Sequence, residues 1–364
     1  MNPPAIRTLT VELGDRRYPV YLGRDILPTF AKVFRSCKLP GTVAVVTDRT
    51  VAKLYLRELS GILTRSKISV HPVVIPPGER QKSLARTNAI VTQFIEGGLT
   101  RASAVVTLGG GVVGDVAGFA AAIYRRGIPI VQVPTTLLAQ VESAIGGKVG
   151  VNHPRGKNVF GAFHQPAFVF SDTRFLASLP AREIVCGLGE MLKYALLDER
   201  LFRFFETNIG AMQSRNLDVL EESIYRCNAV KVRLVGEDER ELKDDGGRAV
   251  LNLGHTIGHA LETCSHFRLH HGEAVLTGLR WELALALRTG LLQGDHFARI
   301  DGLLQRVSYS PALEGLTVAG LMRAMYGHKS SARFILPKRI GDFASLTDVP
   351  QSDVKAILRE KMFR

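Results

Sequence analysis

Along the first half of the chain, short apolar runs alternate with segments whose apolar positions recur every three or four residues. Thr8–Leu13 and Tyr18–Leu22 read as a hairpin around Gly14-Asp15. Thr42–Thr47, Ala104–Leu108 and Ile128–Val133 are β-branched apolar runs, the pattern of strands buried on both faces. Val70–Ile75 is a further strand candidate, weakened by Pro72 and ended by Pro76-Pro77-Gly78. Helical spacing covers Val51–Leu59, Ser83–Glu96 and Val116–Tyr124. This β-α-β-α order predicts a mainly parallel sheet with helices on both faces and ligands at the carboxyl ends of its strands. After about Leu176 the period changes. Ala181–Asp198, Leu201–Asn208, Leu217–Val235, Leu251–Thr263, Glu273–Thr289 and His296–Arg306 all carry helical spacing, so the second half is expected to be mainly helical. The polar run Glu237–Gly247 reads as a loop between two of these helices.

A length of 364 residues accommodates two domains, and 46% hydrophobic residues with 35 glycines fit a globular α/β enzyme. The net charge of +13 favours anionic partners. Its lysines and arginines are scattered and lack interleaved aromatics, which argues against nucleic acid and for a small phosphorylated or carboxylated substrate. Cys37, Cys186, Cys227 and Cys264 form no C-x-x-C pair, which argues against a zinc ribbon or disulfide framework and for a reducing compartment. The N-terminus has no signal-peptide core, and no run approaches the ~18 apolar residues of a membrane span. A cytoplasmic protein with no membrane partner is expected.

The chemistry concentrates first in Ala104–Tyr124, where an apolar strand runs into Gly109-Gly-Gly-Val-Val-Gly-Asp115 and then a helix. Backbone N–H groups at such a helix start face an anion without side chains in the way. The G-x-G-x-x-G spacing fits a dinucleotide, although the usual acidic residue ~20 positions on is missing. Asp115 reads either as a first-turn acid favouring the helix dipole or as a hydrogen-bond partner of a cofactor hydroxyl. Asp48 reads as a ribose-binding acid or a helix N-cap, and Glu79 and Lys82 as site residues or solvated loop charges. A second glycine-rich stretch carries Lys148, Lys157 and Asn158 on expected loops, an oxyanion clamp. Arg125-Arg126 either joins that clamp or satisfies helix C-terminal carbonyls. Lys231, Arg248 and Lys329 carry the same ambiguity.

In the helical half, His255 and His259 are four apart on one helical face, and His271-Gly-Glu273 opens the next helix. Glu190 lies one turn from Lys193. Two or three histidines with one carboxylate make a divalent-metal site with a position left for substrate. Spacing alone leaves open which two histidines bind and which one does acid–base work.

Taken together, Leu108–Asp115, Val133–Leu138, Ile145–Lys148, Asn152–Asn158, Gly161–Pro166, Gly189–Tyr194, Asn252–His259 and His271–Glu273 resemble the 3-dehydroquinate synthases of the sugar phosphate cyclase group, in order and at compatible spacing. The resemblance implies an NAD-binding α/β domain over 1–176, an all-α metal- and substrate-binding domain over 177–364, and a cleft between them. It implies that Glu190, His255 and His271 hold zinc or cobalt. Asp48, Glu79, Lys82, Gly110, Gly111, Val112, Asp115, Thr135, Thr136, Lys157, Phe175, Ser178 and Leu179 would line the NAD site. Arg126, Glu142, Lys148, Asn158, Lys193, Lys231, Arg248, Asn252, His259 and Lys329 would meet substrate. His259 and Lys148 would be catalytic, His259 as proton carrier. Family members are typically homodimers, with an arginine at the Arg126 position reaching the neighbouring subunit.

The implied reaction uses NAD and the metal on a seven-carbon keto-acid phosphate: transient oxidation, phosphate elimination, return of hydride, ring opening and an intramolecular aldol closure. Lys231 and Arg248 are the expected cations for the substrate carboxylate. Three departures from the family pattern stand out. Glu142 replaces an aspartate. The loop after Glu241 is longer, so the acid assisting His259 is either Glu241 or Asp244. The surroundings of Lys329 differ from the usual acid–lysine–lysine. The alternatives are a relative that cyclises a sugar phosphate without a carboxylate (an epi-valiolone or deoxy-inosose synthase) and a glycerol dehydrogenase-like oxidoreductase.

Overall fold

The computed structural model describes residues 5–153, 156–243, 247–327 and 331–362. It divides into two compact units, Met1–Leu179 with Lys231–Gly236, and Pro180–Val230 with Glu237–Arg364. Among the described residues no helix is long and apolar enough to cross a membrane.

The first unit is built on a seven-stranded sheet of order β1-β2-β9-β6-β5-β3-β4. Its strands are β1 (Arg7–Val11), β2 (Tyr18–Gly23), β3 (Thr42–Asp48), β4 (Ser69–Ile75), β5 (Ala104–Gly109), β6 (Ile130–Pro134) and β9 (Phe168–Asp172). Only β1 and β2 pair antiparallel; the other neighbours run parallel. Alternation along each strand supplies two cores. Val43 and Val45 of β3 face Phe30, Phe34, Leu59 and Leu63, whereas Ala44 and Val46 face Ile90, Phe94, Val113 and Val116. Pro72 is tolerated because β4 is an edge strand. The chain passes from β3 outward to β4, then returns to β5 on the other side of β3. That reversal leaves a crevice beyond the carboxyl ends of β3 and β5.

Three features depart from expectation. The glycine-rich stretch carrying Lys148 and Asn158 is not loop: β7 (Lys148–His153) and β8 (Gly156–Phe163) form an antiparallel hairpin. Its Val149, Val151, Phe160 and Ala162 pack on the β3–β5 core. The glycines hid a period-two pattern that was present all along. The helix expected over Val51–Leu59 begins as a turn at Arg49–Val51, widens to a π-helix over Ala52–Leu56, and is regular only over Arg57–Arg65. The helical unit is not purely α. It carries a hairpin of β10 (Phe334–Arg339) and β11 (Asp342–Leu346), and a final helix Gln351–Met362.

The second unit is organised by three helices, Ala181–Leu197, His255–Cys264 and His271–Arg288. Glycines bring their backbones into direct contact. A Cβ added at Gly278 would lie 2.0 Å from the carbonyl oxygen of Gly254, and one at Gly272 would lie 1.9 Å from that of Cys186. A backbone carbonyl cannot swing aside, so these crossings admit no larger residue. We expect Gly278→Ala to lower stability by about 2 kcal/mol or more, read from urea unfolding. Gly302, exposed on the outer face of the helix Gly294–Gln305, has nothing within 4 Å of an added Cβ. Gly302→Ala should be neutral or stabilise by up to about 1 kcal/mol. Equal effects of the two substitutions would contradict the close crossing.

Candidate functional site

A glutamate sits at the centre of the helical unit with no access to solvent. Glu190 is 0% exposed, and its Oε1 lies 3.0 Å from His271 Nε2 and 3.5 Å from His255 Nε2. Neither carboxylate oxygen accepts a well-directed hydrogen bond, although Oε2 is 2.7 Å from the equally buried Nζ of Lys193. Burial disfavours its charge, but Lys193, His255 and His271 outweigh that and hold the carboxyl well below the usual carboxylate range. Desolvating both members of such a pair costs several kcal/mol per ion, so the arrangement is hard to explain as a device for stability.

Both imidazoles are held from behind. His271 Nδ1 is 3.0 Å from Glu262 Oε2, and His255 Nδ1 is 3.0 Å from the Leu253 carbonyl oxygen. A carbonyl only accepts, so His255 carries its proton on Nδ1 and turns the Nε2 lone pair toward Glu190. The Glu262 carboxylate fixes the same tautomer on His271. His259 is close, its ring centroid 5.1 Å from that of His255 and 5.5 Å from that of His271. The ligand atoms of the three histidines lie within 4.8 Å of one another. Donor type, burial and tautomer therefore fit a divalent cation held by Glu190, His255 and His271, with His259 beside it.

Two residues that sequence reasoning missed set this geometry. Glu262 is seven positions past His255 on the same helical face, a spacing that was readable. Glu282 is fully buried and accepts from the backbone N–H groups of Gly254 (2.8 Å) and Ile257 (3.0 Å), capping the helix that begins at His255. Burial pushes its carboxyl up to about 8 despite those donors. No local signal marks a cap supplied by another helix.

The remaining helical-unit candidates surround a loop. Asp238 accepts from the backbone N–H groups of Leu242, Lys243 and Arg248, closing the segment that carries Glu241. Glu241 adopts φ 56° and accepts from Asn252 Nδ2. Arg248 is buried and donates to the Glu239 carbonyl at 2.5 Å. Asp244 and Lys329 lie outside the described residues.

In the α/β unit the expected NAD-site residues gather at the carboxyl edge of the sheet. Asp48 ends β3, Glu79 and Lys82 follow β4, Gly110, Gly111, Val112 and Asp115 follow β5, and Thr135 and Thr136 follow β6. Phe175, Ser178 and Leu179 follow β9, where the Tyr55 ring packs on Phe175 and its hydroxyl lies 2.6 Å from Ser178 Oγ. Among the described residues the buried Thr135 hydroxyl has no hydrogen-bond partner, and glycine backbone opens the helix Gly111–Ile123. Both features suit an absent polar ligand.

Lys82 and Asp115 depart from one of their local readings, and Asp48 takes the N-cap role that was one of its two. Lys82 is not a solvated loop charge: it is buried, with Nζ 2.7 Å from Asp115 Oδ2 and 2.7 Å from Asn158 Oδ1. Asp115 stands beyond the first turn of its helix, so its partner is Lys82 rather than the helix dipole. Burial raises its carboxyl, and Lys82 only partly offsets this. Asp48 Oδ1 caps the following turn through the backbone N–H groups of Thr50 and Val51. Asn152 extends the network, with Nδ2 2.9 Å from Glu79 Oε1 and Oδ1 accepting from the Asn158 N–H. Asn158 takes φ 53° within β8, beside Lys157, while Lys148 is exposed at the start of β7. Arg125 and Arg126 are exposed and both left-handed, with φ 54° and 71°. Lys231 is buried and donates to both Glu142 Oε1, at 2.6 Å, and the Glu142 carbonyl oxygen. Its charge therefore already has a carboxylate partner.

Residues 72–186 match the family model described as 3-dehydroquinate synthase N-terminal, and residues 187–331 match that described as 3-dehydroquinate synthase C-terminal. The chain belongs to the 3-dehydroquinate synthase family. It is 45% identical to the 3-dehydroquinate synthase of Geobacter metallireducens over 93% of this chain and 95% of that one. The relative of the same name from Desulforamulus reducens is 40% identical over 97% and 99%. Among solved structures, 2-deoxy-scyllo-inosose synthase with carbaglucose-6-phosphate, NAD+ and Co2+ superposes with a TM-score of 0.85, at 25% identity over 97% of this chain and 100% of that one. The 2-epi-5-epi-valiolone synthase of Streptomyces hygroscopicus with NAD+ and Zn2+ gives 0.83, at 28% identity over 94% and 96%.

Glu262 supplies the test of this centre. Glu262→Gln keeps the size of the side chain but weakens its hold on the His271 tautomer, and should loosen Zn2+ or Co2+ by 10- to 100-fold in a chromophoric-chelator competition. Unchanged affinity would mean that His271 is oriented without it.

Proposed function

We propose that this chain is a lyase that converts 3-deoxy-D-arabino-heptulosonate 7-phosphate to 3-dehydroquinate and inorganic phosphate, with NAD and a divalent metal, zinc or cobalt. The observation that carries the reading is the convergence of buried Glu190 with the Nε2 atoms of His255 and His271, in a chain of this family. When bound, the metal supplies Lewis acidity to adjacent substrate hydroxyls and NAD supplies a reversible hydride acceptor.

Glu190, His255 and His271 would hold the metal, and Lys193 keeps Glu190 ionised in a dry environment. His259 lies beside both ligand imidazoles, and its ring nitrogen is our choice for the group that takes and returns the substrate proton. Glu241, tied to Asn252, is the acid we assign to assist it; Asp244 remains the other candidate. Lys148, Asn158, Arg126, Lys193, Asn252 and Lys329 would bind substrate. Because Lys231 is already engaged by Glu142, we assign the substrate carboxylate to Arg248 first. Glu142 would then orient Lys231 and reach substrate only through it.

In the first unit, Asp48, Glu79, Lys82, Gly110, Gly111, Val112, Asp115, Thr135, Thr136, Lys157, Phe175, Ser178 and Leu179 would hold NAD. The position of these residues beyond the carboxyl ends of β3 and β5 supports this, as does the buried Thr135 hydroxyl, which has no hydrogen-bond partner among the described residues. A homodimer in the cytoplasm completes the reading, the four free cysteines suiting a reducing compartment.

The likeness to the inosose and valiolone synthases makes substrate choice the decisive experiment. Protein with divalent metal and catalytic NAD should release phosphate from 3-deoxy-D-arabino-heptulosonate 7-phosphate without net NADH. Release only from sedoheptulose 7-phosphate would assign a valiolone-type cyclase instead, and stoichiometric NADH a dehydrogenase. His271→Ala should abolish turnover and metal retention while circular dichroism stays unchanged; full activity would remove His271 from the ligand set.

A further inference from the structure

The helix crossing that positions Glu190 and His271 presents a second set of metal-binding donors, within two turns before Glu190 on one helix and immediately before His271 on the other. Glu183 and Cys186 are three apart on the helix Ala181–Leu197, and His270 is the N-cap residue of the helix His271–Arg288. One ligand atom from each of the three lies within 4.8 Å of the others. His270 Nδ1 is 2.8 Å from Glu183 Oε1. The Cys186 side chain is 1% exposed, whereas Glu183 and His270 reach solvent and give an ion a way in. The helices meet here backbone to backbone, an added Cβ on Gly272 falling 1.9 Å from the Cys186 carbonyl oxygen. The backbones that carry Cys186 and His270 are therefore held close together, while Glu183 reaches the cluster on its own side chain.

The charges around the cluster are paired, Glu183 with His270, whose charged form it favours, and Glu273 with Arg182. Burial pushes the Cys186 thiol well above its ordinary value, and the carboxylates of Glu183 and Glu273 push it further. The nearby guanidinium of Arg182 is occupied by Glu273, with Nε and a terminal nitrogen each 2.7 Å from its carboxylate oxygens. The Glu273 N–H points at the Cys186 sulfur and would remain a donor to a bound thiolate.

We propose that Glu183, Cys186 and His270 form a second cation site, selective for a thiophilic divalent ion of the zinc class. Sulfur, nitrogen and oxygen donors together suit Zn2+ or Co2+, whereas Mg2+ and Ca2+ require oxygen. Binding replaces the Cys186 S–H bond with a sulfur–metal bond and displaces the proton by which His270 Nδ1 meets Glu183, both protons leaving to solvent. The inference is independent of the proposed reaction, because none of its three residues belongs to that machinery.

The test is a titration of the metal-free protein with Co2+ under reducing conditions, followed by near-ultraviolet absorption. A thiolate ligand gives an intense sulfur-to-cobalt charge-transfer band, which the Glu190–His255–His271 set cannot produce because it contains no sulfur. We expect two equivalents bound, with the band following one of them. Cys186→Ser should lose the band and that equivalent while keeping the other. His270→Asn, which preserves an N-cap side chain, should lose the same equivalent. His255→Ala should keep the band, separating this site from the proposed catalytic metal. A single equivalent without the band in the wild-type protein, or a band that survives Cys186→Ser, would overturn the proposal.

Discussion

An ionised carboxylate held out of water is the constraint around which the helical unit is arranged. Glu190 is costly where it lies, and the cost is met only if the Lys193 ammonium stays within about 3 Å of it and water stays out. Lys193 comes from the same helix, one turn on, and so is supplied by local geometry. The two imidazoles come from other helices and must be brought in by packing. Glycine backbones at Gly254, Gly272 and Gly278 allow that approach, and Glu282, Glu262 and the Leu253 carbonyl fix where the rings point once they arrive. The same crossing that makes the glutamate tenable also sets Cys186 against the start of the next helix.

The α/β unit solves a different problem, that of offering polar groups at a sheet edge without letting them collapse on one another. Lys82 bridges Asp115 and Asn158, and Asn152 ties Glu79 to the same group, so the charges beyond β4 and β5 are already paired or hydrogen-bonded. A network of this kind is already organised and has little ordering entropy left to lose. Glu142 and Lys231 form a comparable pair, the carboxylate meeting the ammonium directly.

Much of the fold was legible because it follows from spacing. The strands β3, β5 and β6 are continuous apolar runs, and the long helices announce themselves by apolar residues three and four apart. The hairpin of β7 and β8 was not legible, since Gly150, Gly156 and Gly161 lower strand propensity while the alternation of Val149 with Val151 and of Phe160 with Ala162 persists beneath. Strand β9 was missed although Phe168–Phe170 is apolar, because it follows that hairpin with no helix between and so breaks the β-α-β rhythm. The final hairpin and helix lie where short amphipathic segments offer no strong period.

For the site, the sequence alone determined which side chains carry the chemistry and which local neighbours share a face: Glu190 with Lys193, His255 with His259, and the glycine turn after β5. These relations depend only on helical or strand geometry over a few residues. Tertiary structure decided the rest: the meeting of Glu190 with His271, the capture of Lys82 by Asp115 rather than by solvent, and the cap that Glu282 places on the His255 helix. Each of those pairings joins segments far apart in the chain. Their distances depend on how closely two backbones pack, and no local pattern encodes a packing distance.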